Sequence, residues 1–430
     1  MPNRRGVVQE NWITYNFSEL FDISSGLSKS RDQFGFGHPF VTFKNVFYNF
    51  FLPNQLGELA NTNEKERISG SVLKGDIFLT RTSETLHELG MSSVALKDYP
   101  NATFNGFCKR LRLKKDAPIQ VDPVFIGYFL RSHFFRNEVT KHATMTTRAS
   151  LNSTAIKTLQ VTLPPYEEQC AIGQVLKPLD DKIELNLQMN KTLEEMAMTL
   201  YKHWLVDFGP FQDGNFVESE LGLIPEGWEV KRLDEFYKNS QYGYTQSSSL
   251  EKIGPKFLRI TDIQGGNVQW ENVPYCISSD KDFEKYRIVK GDLFVARTGN
   301  STGENVYILN APEAVFASYL IRFQFDELFK SFYVAKNFRS KRFFDYVEGA
   351  KVGSAQPGIS ASTLGEFLLV IPPAKFLVDY FEKAFSFEER KEENLIENQT
   401  LTTLRDTLLP KLISGEVRVR DVEKQLSEVL

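Results

Sequence analysis

Three cysteines in 430 residues, Cys108, Cys170 and Cys276, are too few, too scattered and odd in number for a disulfide framework or a zinc site. They read as half-buried thiols. The five histidines, His38, His87, His133, His142 and His203, show no spacing that suits a metal or a nucleophile's partner. Long apolar runs are missing as well: none approaches the roughly 20 residues a bilayer span needs, and Met1-Pro2-Asn3-Arg4-Arg5 is not followed by the apolar core of a signal peptide. A cytoplasmic protein with no membrane partner is expected. No G-x-x-x-x-G-K-[ST] phosphate loop exists, and Gly299-Asn300-Ser301-Thr302-Gly303 has neither the lysine nor the spacing. Nothing here makes a catalytic set or a metal site.

What the chain does have is a second, weaker copy of itself, about 210 residues on. Leu163-Pro164-Pro165 returns as Ile371-Pro372-Pro373, Gly75-Asp76-Ile77-Phe78-Leu79-Thr80-Arg81-Thr82 as Gly291-Asp292-Leu293-Phe294-Val295-Ala296-Arg297-Thr298, and Trp12 as Trp228. Solenoid and propeller units run about 20 to 50 residues, so each copy is a whole domain. Two similar domains of different sequence suit two similar but non-identical targets.

A large excess of one charge is also lacking, since the formal net charge is -4. That number hides segregation. Residues 104–148 hold nine basic side chains (Lys109, Arg110, Arg112, Lys114, Lys115, Arg131, Arg136, Lys141, Arg148) against three acidic ones, net +6. Acids gather near the end, at Glu388, Glu389, Glu392, Glu393 and Glu397. Such a pattern suits polyanion-binding domains joined to helices with another purpose.

Residues from about 10 to 160 read as short mixed strands, with Phe40-Val41-Thr42-Phe43 and Ile77-Phe78-Leu79 as strand runs. One helix is expected over Pro123 to Val139, with a counterpart over Leu328 to Val347. A short helix over Tyr166 to Leu176 is expected to give way to a long one starting at Pro178. Its seam, Leu179, Ile183, Asn186, Asn190, Leu193, Ala197, Leu200, Trp204, alternates spacings of four and three. Adding 208 gives Phe387, Lys391, Asn394, Asn398, Leu401, Arg405, Leu408, Leu412, so seam and asparagines recur. Lys391 and Arg405 break the apolar pattern, which implies a less buried or locally shifted second helix. Buried asparagines fix register at a cost in stability, or else face a partner. The two helices are expected to pair with each other, antiparallel. Pro178 to Val206 is some 29 residues, roughly 43 Å at 1.5 Å per residue. A Gly-, Pro- and acid-rich loop, Asp207 to Gly227, should lead to the second domain, and the charged tail after Gly415 should fray or pack locally.

Pro164-Pro165-Tyr166 resembles part of the Asn-Pro-Pro-Tyr loop of amino methyltransferases. Leu163 offers no side-chain carbonyl to a target amine, however, and Ile371-Pro372-Pro373-Ala374 lacks the aromatic. A double proline between strand and helix accounts for both copies. More informative are Arg81, Arg148, Arg297 and Lys351, set among Thr80, Thr82, Ser83, Thr146, Thr147, Thr298, Ser301, Ser354 and Gln356. Arg can grip guanine bidentately and Gln adenine, while Ser and Thr serve phosphates or base edges. The candidate DNA-contacting set is Lys44, Arg81, Thr82, Arg131, Arg136, Arg148, Arg259, Arg297, Thr298, Ser301, Arg339, Lys351 and Gln356.

The quoted motifs, together with Leu179-Asp180-Asp181-Lys182-Ile183-Glu184-Leu185-Asn186, Leu200-Tyr201-Lys202-His203-Trp204-Leu205-Val206-Asp207-Phe208, Gly353-Ser354-Ala355-Gln356-Pro357-Gly358 and Leu404-Arg405-Asp406-Thr407-Leu408-Leu409-Pro410, resemble the specificity subunit of type I restriction-modification systems over essentially the whole chain. The first half departs at Thr144 to Leu151, where the Gly and Gln-Pro are missing. The resemblance implies an α+β fold with a pseudo-two-fold internal repeat: a target recognition domain over 1–162, a helical spacer over 163–208, a second recognition domain over 209–370 and a second spacer over 371–430. It implies double-stranded DNA as partner, two methyltransferase subunits docked on the spacers, and restriction subunits beyond them. S-adenosylmethionine, and ATP with Mg2+, would belong to those partners and not to this chain. A stand-alone methyltransferase or nuclease, and a coiled-coil scaffold whose basic domains meet protein or RNA, are the other readings.

Overall fold

The computed structural model describes residues 11–145, 149–351 and 358–419. Two compact units emerge, residues 1–184 with 398–430, and residues 185–397. Each takes part of both long helices.

In the first unit the central sheet is antiparallel, in the order Phe21–Ser25, Cys108–Leu113, Ile77–Thr80, Ser92–Val94. The second unit repeats that order with Asn239–Tyr242, Leu320–Gln324, Leu293–Ala296 and Asn305–Tyr307. A parallel pair also recurs, Phe34–Val41 with Thr103–Phe104 and Lys256–Leu258 with Ala314–Phe316. So does an antiparallel pair, Ile13–Asn16 with Gln160–Leu163 and Glu229–Arg232 with Leu368–Ile371. Trp12 and Trp228 are buried just ahead of those strands.

The repeated Gly-Asp turns have one cause. Gly75 and Gly291 lie at φ +89° and +90°, a region that side chains resist. Asp76 then accepts from Leu73 N at 2.7 Å, and Asp292 from Val289 N at 3.0 Å. Each carboxylate also meets an arginine from the neighbouring strand, Arg112 at 2.6 Å and Arg322 at 3.5 Å. The strands that follow are buried on both faces, hence their continuous apolar sequence.

Several expected elements are redrawn. Thr42 does not continue a strand but caps the helix Phe43–Tyr48, its Oγ1 accepting from Asn45 N. The expected helix over Pro123 to Val139 is two, Pro123–Phe129 and His133–His142, because Ser132 caps the second. Its counterpart divides likewise at Ser340 into Leu328–Phe338 and Lys341–Ala350. Asp207 to Gly227 contains a hairpin, Phe216–Ser219 with Gly222–Pro225, rather than only loop. Pro178 does not begin a helix; it lies inside one of 36 residues, Tyr166–Tyr201. A proline there removes only the bond to the Gln174 carbonyl, and packing of neighbours such as Leu176 holds the helix through it. The 29-residue count from Pro178 therefore starts in mid-helix.

The C-terminal helix, Ala374–Ile413, runs antiparallel to the central one wherever the two meet within a unit. In the second unit Asn394 Nδ2 donates to Asn190 Oδ1 at 2.8 Å, and Asn186 Nδ2 to Glu397 Oε2 at 2.8 Å. In the first, Asn398 Nδ2 donates to Ile183 O at 3.4 Å. Lys391 and Arg405 mark neither exposure nor a shift: Lys391 is buried between Glu194 and Glu388, and Arg405 bonds Asp180 at 2.6 Å. The apolar pattern breaks there because ion pairs replace it. Leu179, Ile183, Leu193, Leu200, Leu401 and Leu408 are all partly buried, and Trp204 stacks on Phe376 with ring centroids 5.0 Å apart. The tail as far as Val419 packs locally, Val419 joining the first unit's core.

Candidate nucleic-acid interface

The same main-chain frame holds Arg81 in one unit and Arg297 in the other. Arg81 N donates to Phe107 O at 3.1 Å, while Arg81 O accepts from Leu151 N at 2.9 Å. Arg297 N donates to Tyr319 O at 3.0 Å, and Arg297 O accepts from Ile359 N at 2.9 Å. Thr82 pairs with Ser150 in a short strand, and Thr298 bridges Gly358. Each arginine thus sits where three chain segments converge.

The side chains around the two frames differ. Arg81 is exposed, and its charge adds to burial in lowering the pKa of Lys109, whose Nζ donates to Ser25 Oγ at 2.5 Å. Arg297 instead lies over the Tyr242 ring, 4.5 Å from its centroid, with Nε buried and without a hydrogen-bond partner. Stacking on the ring fixes the plane of the guanidinium. Ser301 closes the short turn Gly299–Ser301 beside it, and Lys44 is exposed on the helix Phe43–Tyr48.

Other candidates are engaged internally. Arg131 donates from Nε to Ser92 O at 2.7 Å and from Nη2 to Val46, Phe47 and Asn49 carbonyls at 2.7 to 2.9 Å. Burial, helped by Arg136, pushes its pKa down to about 10. It is a structural tie and does not present itself to phosphate. Burial likewise lowers Arg136, a half-buried residue of the helix His133–His142. Arg110 and Arg112 also turn inward, to Ser71 O at 2.5 Å and to Asp76. The basic run is therefore not a continuous surface stripe. Arg259 is held bidentately by Asp262, Arg339 Nη2 reaches Gly265 O at 3.4 Å, and Lys351 pairs with Glu348. Arg148 and Gln356 lie outside the described residues.

Sequence reasoning counted Lys109 only as one of a basic run and missed Tyr242, both lying in strands far along the chain from the arginines they neighbour. It also missed the charged cluster of Glu194, Lys336, Glu388 and Lys391. Lys391 in an otherwise apolar seam was the available signal. Among the described residues no group of His, Cys, Asp and Glu could hold a metal, and no helix is long and apolar enough to cross a membrane. Burial pushes the Cys108 thiol up to about 12 and Cys276 to about 11, so neither is poised as a thiolate.

Residues 9–195 match the family described as type I restriction modification DNA specificity domain. The chain is 25% identical over 442 positions to the type I restriction enzyme MjaIX specificity subunit of Methanocaldococcus jannaschii, covering 97% of this chain and 96% of that one. It is 24% identical to the HindI specificity subunit of Haemophilus influenzae, over 95% of this chain and all of that relative. Residues 9–195 thus carry such a domain, and the chain is similar to type I specificity subunits along nearly its whole length. The crystal structure of a type I restriction-modification S subunit from M. genitalium shares the fold, with a TM-score of 0.58 at 16% identity and coverage of 96% and 97%. Within this chain the segment Leu163 to Gln169 is architectural. Gln169 is fully buried, donating to Pro164 O and Gln120 O and accepting from Asp122 N, so it ties the start of the central helix to the domain.

Proposed function

We propose that this chain is the sequence-reading subunit of a type I restriction-modification complex, each recognition domain addressing one segment of a bipartite double-stranded DNA site. The observation that carries the reading is the frame built twice around Arg81 and Arg297 with unlike side chains, as two readers of unlike sequences require. The paired helices would dock two methyltransferase subunits, with restriction subunits beyond. S-adenosylmethionine would be held by the methyltransferase, and ATP with Mg2+ by the restriction subunit, in the cytoplasm. The chain itself would select without catalysing. A coiled-coil scaffold for protein or RNA gains no support from relatives that are specificity subunits along their whole length.

The purified chain is expected neither to bind S-adenosylmethionine nor to methylate DNA, and the cognate methyltransferase subunit should create activity on DNA. Methyl transfer by the rigorously purified chain alone would sink the reading. Within the complex, Arg297→Ala should relax discrimination at one segment by roughly 1 to 3 kcal/mol, the value of a bidentate base contact. Selection from randomised DNA is the measurement; unchanged preference at every position would remove Arg297 from the interface.

A further inference from the structure

Beside each arginine stands a turn built the same way and tipped with an aromatic ring. Cys108 N donates to Asn105 O at 2.9 Å, which places Phe107 third in a four-residue turn, and Leu320 N donates to Ala317 O at 2.9 Å, which places Tyr319 third in its own. A neighbouring segment clamps each one. Leu27 N donates to Phe104 O at 2.8 Å and Leu27 O accepts from Gly106 N at 2.8 Å; Tyr244 N donates to Phe316 O at 2.7 Å and Tyr244 O accepts from Ser318 N at 3.0 Å. The approach is so close that a Cβ on Gly26 would fall 2.2 Å from Asn105 O, and one on Gly243 2.3 Å from Ala317 O. These turns are rigid.

Yet the rings they carry point outward, Phe107 being 53% exposed and Tyr319 58%. A single exposed aromatic needs no explanation. Two at the same place in two divergent copies, each on a clamped turn whose carbonyl receives the amide of Arg81 or Arg297, contribute little to their own core and are preorganised for something outside it. Cations alongside exclude an apolar protein groove as the natural occupant and favour an anion with flat apolar surfaces. Duplex DNA has both, phosphates outside and base faces and thymine methyls within.

We propose that Phe107 and Tyr319 are the apolar base contacts of the two readers, each ring pressing on nucleobase surface next to its arginine. This rests on the DNA-reading function proposed above. Phe107 offers only apolar surface, whereas Tyr319 adds a hydroxyl, so the two readers differ here as well.

The test uses the complex with its methyltransferase subunit and compares wild type with Phe107→Ala, Tyr319→Ala and Tyr319→Phe. Affinity for the selected DNA is measured across a salt series, and site preference by selection from randomised duplexes. Each alanine variant should lose about tenfold in affinity at every salt concentration. Its slope against salt should stay that of wild type, since a ring neutralises no phosphate. Lost discrimination should fall in one segment for Phe107→Ala and in the other for Tyr319→Ala, with Tyr319→Phe keeping most of the affinity. Melting temperatures should not move, because both rings are exposed. Unchanged affinity and preference in the alanine variants, or a loss equal on all sequences with a slope reduced by about one, would overturn the inference while leaving the DNA-reading function standing. A wild-type complex that selects no sequence at all would overturn both.

Discussion

Arg131→Ala is expected to destabilise the first unit by about 3 to 5 kcal/mol, a drop of roughly 10 °C in melting temperature, while the salt dependence of DNA binding stays as it was. Val46, Phe47 and Asn49 supply carbonyls at the end of the helix Phe43–Tyr48, where intrahelical partners run out. One guanidinium satisfies all three, bonds Ser92 O on the neighbouring strand, and lies 5.3 Å from the centroid of the Phe50 ring. Truncation strands these acceptors in a site too enclosed for water to replace every bond. Arg131→Lys should recover only part of the loss, because an ammonium cannot fork across the same carbonyls. Thermal or urea unfolding decides the matter. Wild-type stability combined with a binding slope lowered by about one would show that Arg131 contacts phosphate after all.

The second large effect belongs to the charged cluster of the second unit. Glu194 bonds Lys391 and lies 3.7 Å from Lys336, while Glu388 accepts from both lysines. Burial raises the Glu194 pKa, but Lys336 and Lys391 more than offset it and hold the carboxyl at about 2, against an ordinary 4.5. Because the folded value is depressed, the stabilisation is fully present above pH 4.5 and is lost as pH falls through 2. Linkage puts it at about 3 kcal/mol. Glu194→Gln should therefore cost about that much at pH 7 and less at each step down, so the wild-type and variant stability curves converge toward pH 2. Urea unfolding between pH 2 and 7 is the measurement. Parallel curves over that range would mean that Glu194 is not linked to folding.

Periodicity carried the helical part of the fold far. The four-and-three spacing around Asn186, Asn190, Asn394 and Asn398 was legible because a seam residue has the same neighbours whatever the distant fold does. Helix ends were not: Pro178 looked like a start because local geometry favours proline there, and only packing around Leu176 carries the helix through it. Ser132 and Ser340 stand apart by the same offset as the helix seams, yet their capping role emerged only once Phe129 and Phe338 ended the helices before them. The Gly-Asp pairs at Gly75-Asp76 and Gly291-Asp292 stood out as part of the repeat, and the turns they make are local matters, a positive φ and a carboxylate accepting a nearby amide.

Charge was the poorest guide. Residues 104–148 carry a net +6, but Lys109, Arg110, Arg112 and Arg131 each bond within the fold, and composition cannot tell a cation facing water from one facing a carbonyl. By itself the sequence determined the internal repeat, the likeness to specificity subunits, the paired helices with their asparagines, and the recurrence of Arg81 and Arg297, because these rest on spacing along the chain. Tertiary structure alone decided that Arg131 is a strut, that Lys391 and Arg405 answer Glu194 and Asp180 across the helix pair, and that Phe107 and Tyr319 stand beside the two arginines. Those relations join residues tens to hundreds of positions apart, and hydrogen bonds and ion pairs act over a few ångströms, a distance that only the folded backbone sets.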